Sequence, residues 1–161
     1  MNAIFKRVSV RKYTNAKVEN EKIEKLLRAA MAAPSGGNQQ PWQFLVIDDP
    51  ALCEKLGETS PYSKPATAAP LNIVPIMDRR GARFPRIAEQ DMSACIENIL
   101  LEAVEQGLGA VWQGVYPEPD RMNHIRALFG LEDELEPFAI VSIGYPESEP
   151  HAQHERYDEA R

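Results

Sequence analysis

The chain has 161 residues, 43% of them hydrophobic, which predicts one globular domain with its own core. Its formal net charge of -6 argues against a general nucleic-acid binder and against a protein held on anionic membranes by charge. The sequence contains no apolar run long enough to span a bilayer, no secretion signal and only two distant cysteines. We therefore expect a cytoplasmic protein whose thiols are reduced.

Helices and strands alternate through the first half of the chain. The spacing of apolar residues predicts helices over 3–8, 18–33 and 50–57. Strands are expected over 42–47, which reads as buried on both faces, and over 71–77. Pro75 lies within the second strand and lacks the amide hydrogen that a central ladder needs. We expect it at a sheet edge or a bulge.

The stretch 91–116 predicts one long helix, a glycine turn and a buried strand. The helix over 91–107 is apolar on more than half of its circumference. Such a helix needs cover on two sides, and we expect a second subunit to supply one of them. Gly107 is the kind of residue that ends a helix, and Gly114 within the strand indicates a bulge or the close approach of a ligand.

The last part of the chain predicts a helix over 119–129, a hydrophobic strand over 137–145 and a polar tail over 146–161. A tail of this kind is either disordered or laid on a partner, so we place the domain at 1–145. The alternating order would suit a parallel sheet. However, no glycine-rich phosphate loop follows the first strand, and helices precede it. We favour an α+β fold, a layered sheet packed against helices.

Two segments carry candidate binding groups. Arg7, Ser9 and Arg11 alternate, so an extended backbone points them the same way, which suits an anion. A solvated basic turn is the alternative. The loop at 34–42 is rich in hydroxyl and amide groups that suit the polar edge of a planar heterocycle, although a helix-to-strand connector would also need its glycines. These loop side chains are Ser35, Asn38, Gln39 and Gln40.

A second basic cluster lies at 78–89, where either a mobile lid or a polar surface excursion is expected. Its members are Arg79, Arg80, Arg83 and Arg86. The sequence shows no metal-ligand spacing, no nucleophile elbow and no acid–base pair on one helical face. If the chain is an enzyme, a cofactor is therefore expected to carry the chemistry.

Three motifs, in this order, resemble those of the flavin-dependent nitroreductases. They are RVSVRKY at 7–13, APSGGNQQPWQF at 33–44 and GLGAVWQGVYP at 107–117, and the likeness runs from Ile4 to the RYD at 156–158. The resemblance implies a nitroreductase-like α+β fold, with a mixed or antiparallel central sheet flanked by helices. It also implies an intertwined homodimer that holds FMN at its interface, with the tail packed on the partner subunit.

The resemblance also implies roles for single residues. Arg7 would contact the FMN phosphate with Ser9 nearby, and Arg11 would reach the pyrimidine side of the isoalloxazine, where its charge would stabilise the anionic reduced flavin. The backbone of Gln113 and Gly114 would face the flavin near N5. The loop from the other subunit would lie on the flavin, and a C-terminal arginine would close the phosphate site. These further matches are Pro34, Ser35 and Asn38, with Gln40 added for its amide, and Arg156.

The function implied is an FMN-dependent oxidoreductase. NADH or NADPH would reduce the flavin, and an electron-poor acceptor such as a nitroaromatic or quinone would then react in a ping-pong mechanism. Other flavin chemistry on the same fold (dehydrogenation, dehalogenation or flavin cleavage) and a non-enzymatic flavin-binding protein are the alternatives. The chain departs from larger members in lacking a helical excursion over the flavin, and it has Gln113 where many have an acid. The basic cluster at 78–89 is a candidate site for the phosphates of the nicotinamide cofactor.

Overall fold

Helices and strands follow one another along residues 2–161, the part of the chain that the computed structural model describes. The helices are α1 (Ala3–Lys6), α2 (Asn20–Met31), α3 (Pro50–Gly57), α4 (Lys64–Ala68), α5 (Ala88–Glu105) and α6 (Pro119–Phe129). The strands are β1 (Trp42–Ile47), β2 (Leu71–Asp78), β3 (Gly109–Gly114), β4 (Leu135–Pro137) and β5 (Ala139–Gly144). None of the described helices is long and apolar enough to cross a membrane.

Local sequence sets where the helices begin and end. The Asp49 side chain accepts a hydrogen bond of 2.9 Å from the backbone N–H of Leu52 and so caps α3. Proline opens both α3 and α6, where its missing N–H has no cost. Gly130 ends α6 with φ of 62°, a left-handed conformation that glycine adopts without strain.

The strands form one antiparallel sheet in the order β1-β2-β5-β3, with β4 paired to β2 beyond the end of β5. The expected α+β architecture is confirmed. The expectation that residues 42–47 are buried on both faces is wrong, since Gln43 and Val46 are exposed. The reason is topological: β1 is an edge strand with β2 as its neighbour in the sheet, so one side of its backbone lies at the rim.

Pro75 lies in β2, which has neighbours on both sides, so it is not at a sheet edge. The other place expected for it, a bulge, is confirmed: β2 pairs Ile73 with Val141 but Ile76 with Pro137, so the partner segment has one more residue than β2 between these pairs. The position is tolerated because the partner strand is interrupted there. Phe138 separates β4 from β5 opposite Pro75, and its N–H donates to the Pro75 carbonyl at 2.9 Å. The Phe138 carbonyl instead accepts from Val115 and Tyr116, so it does not require the amide hydrogen that proline lacks.

Two apolar layers enclose the sheet. Helices α2 and α5 cover one face, and α3, α4 and α6 cover the other. The apolar side chains of α5 are buried within a single chain. They are Met92, Cys95, Ile96, Ile99, Leu100 and Ala103. The argument that this helix needs a second subunit as cover is therefore wrong, because the sheet and α2 already cover it.

Candidate functional site

The N-terminal segment lies along the outer edge of β3. Ser9 forms a parallel bridge with Ala110, and the Val10 N–H donates to the Ala110 carbonyl at 3.0 Å. A Cβ atom on Gly109 would lie 2.6 Å from the Val10 Cβ, so glycine is what allows the two backbones to approach. The structure thus brings Arg7, Ser9 and their neighbours to the free edge of the sheet.

The two arginines of this segment retain most of their hydrogen-bond donors. The Arg7 Nε lies 3.6 Å from Glu97 Oε1, a long contact with a half-exposed carboxylate. The exposed Arg11 donates through Nη1 to the Ser9 carbonyl at 3.5 Å, the limit of a hydrogen bond. Guanidinium groups with free donors beside a serine hydroxyl are suited to an anion such as a phosphate.

The beginning of the tail forms the other wall of a cleft with this segment. The cleft has a volume of about 190 Å³ and is lined by residues 8–12 and 148–151. The Glu147 N–H donates to the Lys12 carbonyl at 3.2 Å, and Gln153 Nε2 donates to the carbonyls of Ile4 and Arg7. Residues 147–153 therefore return to the N-terminal segment of their own chain.

Arg156 lies further along the tail and is exposed, with its backbone N–H donating to Glu155 Oε1 at 2.9 Å. Its role in closing a phosphate site, and the packing of the tail on a partner subunit, stay predictions.

The end of β3 continues the same free edge. The register of β3 with β5 is unbroken from Gly109 to Gly114, so Gly114 does not mark a bulge. Backbone groups alternate between the two sides of a strand, and Ala110 faces the outer edge, so Gly114 N–H also faces outward. A Cβ on Gly114 would meet no atom within 4 Å, which leaves room for a ligand. The Gly114 carbonyl accepts from Arg121 Nη1 at 2.9 Å.

The Gln113 side chain points the other way, into the sheet interior, and is 5% exposed. Its Nε2 donates to Ser142 Oγ at 2.6 Å and lies 3.4 Å from the Ile140 carbonyl. By the same alternation the backbone N–H and C=O of Gln113 face β5, so the outward-facing backbone groups here belong to Gly114. The flavin contact that the resemblance implies for the Gln113 backbone stays a prediction.

The loop at 34–40 is held against the start of α5 by a buried carboxylate. Asp91 accepts from the Gly36 N–H at 2.9 Å and from Gln39 Nε2 at 2.6 Å. Sequence reasoning missed Asp91, although an acid in the first turn of a long helix is a signal for such an N-terminal contact. The Gln39 amide is thus used in holding the loop against α5 and is not free to bind a ligand.

The remaining loop groups are presented outward. Ser35 Oγ accepts from the Gln40 N–H, and Gln40 Nε2 donates to Asn38 Oδ1, both at 3.0 Å. Asn38 and Gln40 have φ of 56° and 49°, a left-handed backbone conformation that residues other than glycine rarely adopt. Both residues are exposed, as is Pro34. Such strain persists where a surrounding structure or a function requires it.

Within one chain, these two groups of candidate residues are held by different contacts. The hydrogen bonds and ion pairs of the described residues 2–161 include none between the loop at 34–40 and the segment at 7–11. The structure places Arg7, Ser9 and Arg11 at the outer edge of β3, which continues to Gly114, and it holds the loop against the start of α5.

Comparison with known proteins decides the family. The model described as the Nitroreductase family matches residues 4–60 and 61–145, well over half of the chain. The chain belongs to the nitroreductase family. Membership confirms the recognition made from the three motifs, and with it the enzyme class, an oxidoreductase.

Individual nitroreductase relatives match nearly end to end. A protein from Archaeoglobus fulgidus, provisionally named NADH dehydrogenase/NAD(P)H nitroreductase, is 41% identical over 150 residues, covering 92% of this chain and 86% of its own. The crystal structure of a provisionally named NADH oxidase from Clostridium acetobutylicum has a TM-score of 0.95 at 46% identity, with coverage of 98% and 95%. A provisionally named nitroreductase from Desulfovibrio desulfuricans, solved in complex with FMN, has a TM-score of 0.83 at 32% identity, with coverage of 98% and 91%.

The arginines of the second basic cluster differ in whether they pair with carboxylates. Arg79 is held by Glu89 and Glu136, each at 2.7 Å, and Arg80 pairs with carboxylates of its own. The phosphate contact expected of this cluster therefore narrows to Arg83 and Arg86, which take part in none of the ion pairs of residues 2–161. Arg83 lies over the Phe84 ring at 5.1 Å.

The thiols of Cys53 and Cys95 are buried, and neither forms a disulfide. Burial raises the pKa of Cys95 to about 12 and also raises that of Cys53, so neither is poised as a nucleophile. Across residues 2–161, no group of three His, Cys, Asp or Glu side chains is arranged to hold a metal ion.

Proposed function

We propose that this chain binds FMN along the free edge of β3. Bound there, FMN would serve to pass hydride from NADH or NADPH to an electron-poor acceptor such as a nitroaromatic or a quinone, in two alternating half-reactions. One observation carries the proposal: Arg7, Ser9 and Arg11 lie together at this edge with guanidinium donors that the protein itself leaves largely unused. The FMN complex of the Desulfovibrio desulfuricans relative supports the choice of ligand.

The residues present fit such a group. Arg7 and Ser9 offer charged and neutral donors to a phosphate, and the cleft of about 190 Å³ that Ser9 and Arg11 help to line is of suitable size for a phosphate and part of its ribityl chain. The open space at Gly114 and its outward N–H leave room and a donor for a flat ring further along the edge. When bound, FMN supplies the hydride chemistry, and the chain's own residues bind and orient it.

Arg11 has an electrostatic role in this proposal. Its guanidinium is exposed at the edge, and its one hydrogen bond among residues 2–161 is the 3.5 Å contact to the Ser9 carbonyl. A fixed positive charge placed where negative charge develops lowers the energy of the charged state without further reorganisation. No side chain of this site is needed as an acid or a base.

The proposal includes a homodimer in which a second copy supplies the loop at 34–40. Pro34, Asn38 and Gln40 are exposed and Ser35 is half-buried, and no hydrogen bond or ion pair among residues 2–161 joins this loop to the segment at 7–11. Exposed apolar side chains on α1 support contact with another molecule: Phe5 is 69% exposed and Ile4 is 53% exposed. A site made from two copies would use both groups of residues.

A visible spectrum tests the proposal. Protein reconstituted with excess FMN and then desalted should keep a flavin absorbance band, and anaerobic NADH or NADPH should bleach it. A nitroaromatic or quinone added next should restore the band. Colourless protein after desalting would disprove FMN binding. A band that neither nucleotide bleaches would leave a flavin-binding protein without this oxidoreductase activity.

A further inference from the structure

A directed chain of hydrogen bonds crosses the sheet interior on the face covered by α3, α4 and α6. Asn72 Nδ2 donates to the Ala66 carbonyl at 3.0 Å and to Cys53 Sγ at 3.2 Å. Because the Ala66 carbonyl can only accept, the orientation of the Asn72 amide is fixed, and its Oδ1 faces β5 as an acceptor. Ser142 Oγ donates to that oxygen at 2.7 Å.

The orientation of Gln113 follows from this chain. The single hydrogen of the Ser142 hydroxyl is used on Asn72, so Gln113 must donate to Ser142 Oγ, which it does through Nε2 at 2.6 Å. The second hydrogen of that nitrogen lies toward the Ile140 carbonyl at 3.4 Å. The position therefore requires an amide: a carboxylate of the same length has no hydrogen to donate.

This arrangement leaves the other end of the amide unpaired. Gln113 Oε1 is buried and has no hydrogen-bond partner among residues 2–161. An unpaired buried acceptor is unfavourable for folding, and most buried polar groups in proteins avoid it. A side chain that Ser142 and Asn72 hold in such a state is better explained by what it positions than by stability.

What Gln113 positions is the end of β3. It immediately precedes Gly114, whose N–H faces the open edge and whose carbonyl, which faces the same edge, accepts from Arg121. Two contacts therefore restrain the strand end: the hydrogen bond of the Gln113 amide inside the sheet and that of Arg121 at the outer edge. Gly114 itself contributes no side chain that would restrain it.

We propose that Gln113 is a positioning residue: with Ser142 and Asn72 it fixes the peptide of Gly114 at the outer edge of β3, where the proposed FMN would lie. The inference rests on the proposed function for the identity of the ligand. The positioning of Gly114 by Gln113 is a property of the protein alone and does not depend on the proposed function.

Two substitutions test the chain of hydrogen bonds, with a third as a matched control. Ser142→Ala removes the hydroxyl that holds Gln113 without altering β3, and Gln113→Met keeps the length of the side chain without its amide. Thr59→Val is the control, because Thr59 Oγ1 is also buried without a partner but belongs to the segment after α3. The measurements are the amide resonance of Gly114 in nitrogen-15-labelled protein without FMN, the FMN dissociation constant, and the flavin midpoint potential.

The first two variants should move the Gly114 resonance, weaken FMN binding about threefold to tenfold, as for loss of one neutral hydrogen bond, and shift the midpoint potential. Thr59→Val should match the wild-type protein in all three. If Ser142→Ala and Gln113→Met instead match Thr59→Val, the proposal is wrong. Should Gln113→Met fail to fold, Ser142→Ala decides. If the wild-type protein binds no FMN, the proposed function fails, and the Gly114 resonance still decides the positioning.

Discussion

The arginines of this acidic chain fall into two groups according to what their guanidinium groups contact. Arg28, Arg79 and Arg80 each pair with a carboxylate at short range, as arginines at protein surfaces usually do. Arg7 and Arg11 do not, although the chain carries an excess of acids. Free guanidinium donors beside a cleft are what an anion-binding site requires before its ligand arrives.

Replacing either free arginine should therefore affect FMN more than the fold. We expect Arg7→Gln and Arg11→Gln each to weaken FMN binding about tenfold to hundredfold, as for loss of one charge-assisted hydrogen bond. Quenching of flavin fluorescence measures the dissociation constant. Arg28→Gln is the control, since that arginine pairs with Glu24 on the exposed face of α2. Equal affinities for the three variants would exclude Arg7 and Arg11 as ligands.

Two glycines of β3 separate the effect of packing from that of ligand binding. Gly109→Ala places a Cβ 2.6 Å from Val10, so the N-terminal segment must move, and we expect a loss of about 1–3 kcal/mol in unfolding free energy. Gly114→Ala meets no atom within 4 Å. It should keep the wild-type unfolding free energy and bind FMN more weakly. Urea unfolding and FMN titration of both variants measure this, and a Gly114→Ala protein with unchanged FMN affinity would argue against ligand approach at this position.

At the scale of elements, the excursion between β2 and α5 is a fixed part of the fold. Arg79 joins Glu89 of α5, Glu136 of β4 and the Tyr116 hydroxyl, at 2.7, 2.7 and 3.2 Å. On its other side, Gln39 exchanges two hydrogen bonds with the backbone of Phe84. Hydrogen bonds thus join the excursion both to the sheet and to the loop at 34–40. Arg83 and Arg86, which form no ion pair among residues 2–161, therefore lie on a segment whose backbone is held in place.

This network should give the protein a specific sensitivity to acid. Hydrogen bonds from Arg79 and then Tyr116 hold the pKa of Glu89 below its ordinary value of 4.5. Because the folded-state pKa is depressed, the stabilisation is present above pH 4.5 and is lost as the pH falls through the folded value. We expect Arg79→Met to lower the unfolding free energy by about 1 kcal/mol at pH 7, since the carboxylates are partly solvated, and to flatten its decline below pH 4.5.

Urea unfolding at pH 7 and at several values below 4.5 measures both effects. Arg28→Met is the control, because it removes an exposed ion pair within one helix. If Arg79→Met is as stable as the control and shows the wild-type dependence on acid, the network is not a determinant of stability.

At the scale of the whole molecule, the candidate residues form two separate sets. One set lies at the edge of β3, where Ser9 pairs with Ala110. The other lies in the loop at 34–40, which is bonded to Asp91 of α5. In the dimer that we propose, each site takes its edge from one copy and its loop from the other. A twofold arrangement would produce two such sites per dimer.

Mixing two defective proteins tests this arrangement. Arg11→Gln damages the edge and Asn38→Ala damages the loop, so each homodimer should lose activity. After unfolding and refolding together in equal amounts, half of the dimers are mixed, and one of their two sites is intact. We therefore expect recovery of up to about one quarter of wild-type activity. The same mixture prepared without refolding is the control, and light scattering checks the dimer. If refolding together restores no activity, edge and loop do not come from different copies.

The sequence by itself determined the family, the kinds of group at the proposed site and most helices and strands. These are local properties: apolar spacing, capping residues and short motifs are read within a few positions of one another. The helix α3 at Pro50–Gly57 is an example, since Asp49 and Pro50 define its start wherever the rest of the chain goes.

Only the tertiary structure decided which strands are neighbours and what each group contacts. It made β1 an edge strand, placed Pro75 opposite a break in the ladder, covered α5 within one chain, and turned Gln113 inward toward Ser142. Each of these depends on partners that are distant along the chain. Strand pairing joins residues through tertiary packing, and the hydrogen-bond direction of a buried amide is fixed by neighbours that the local sequence does not contain.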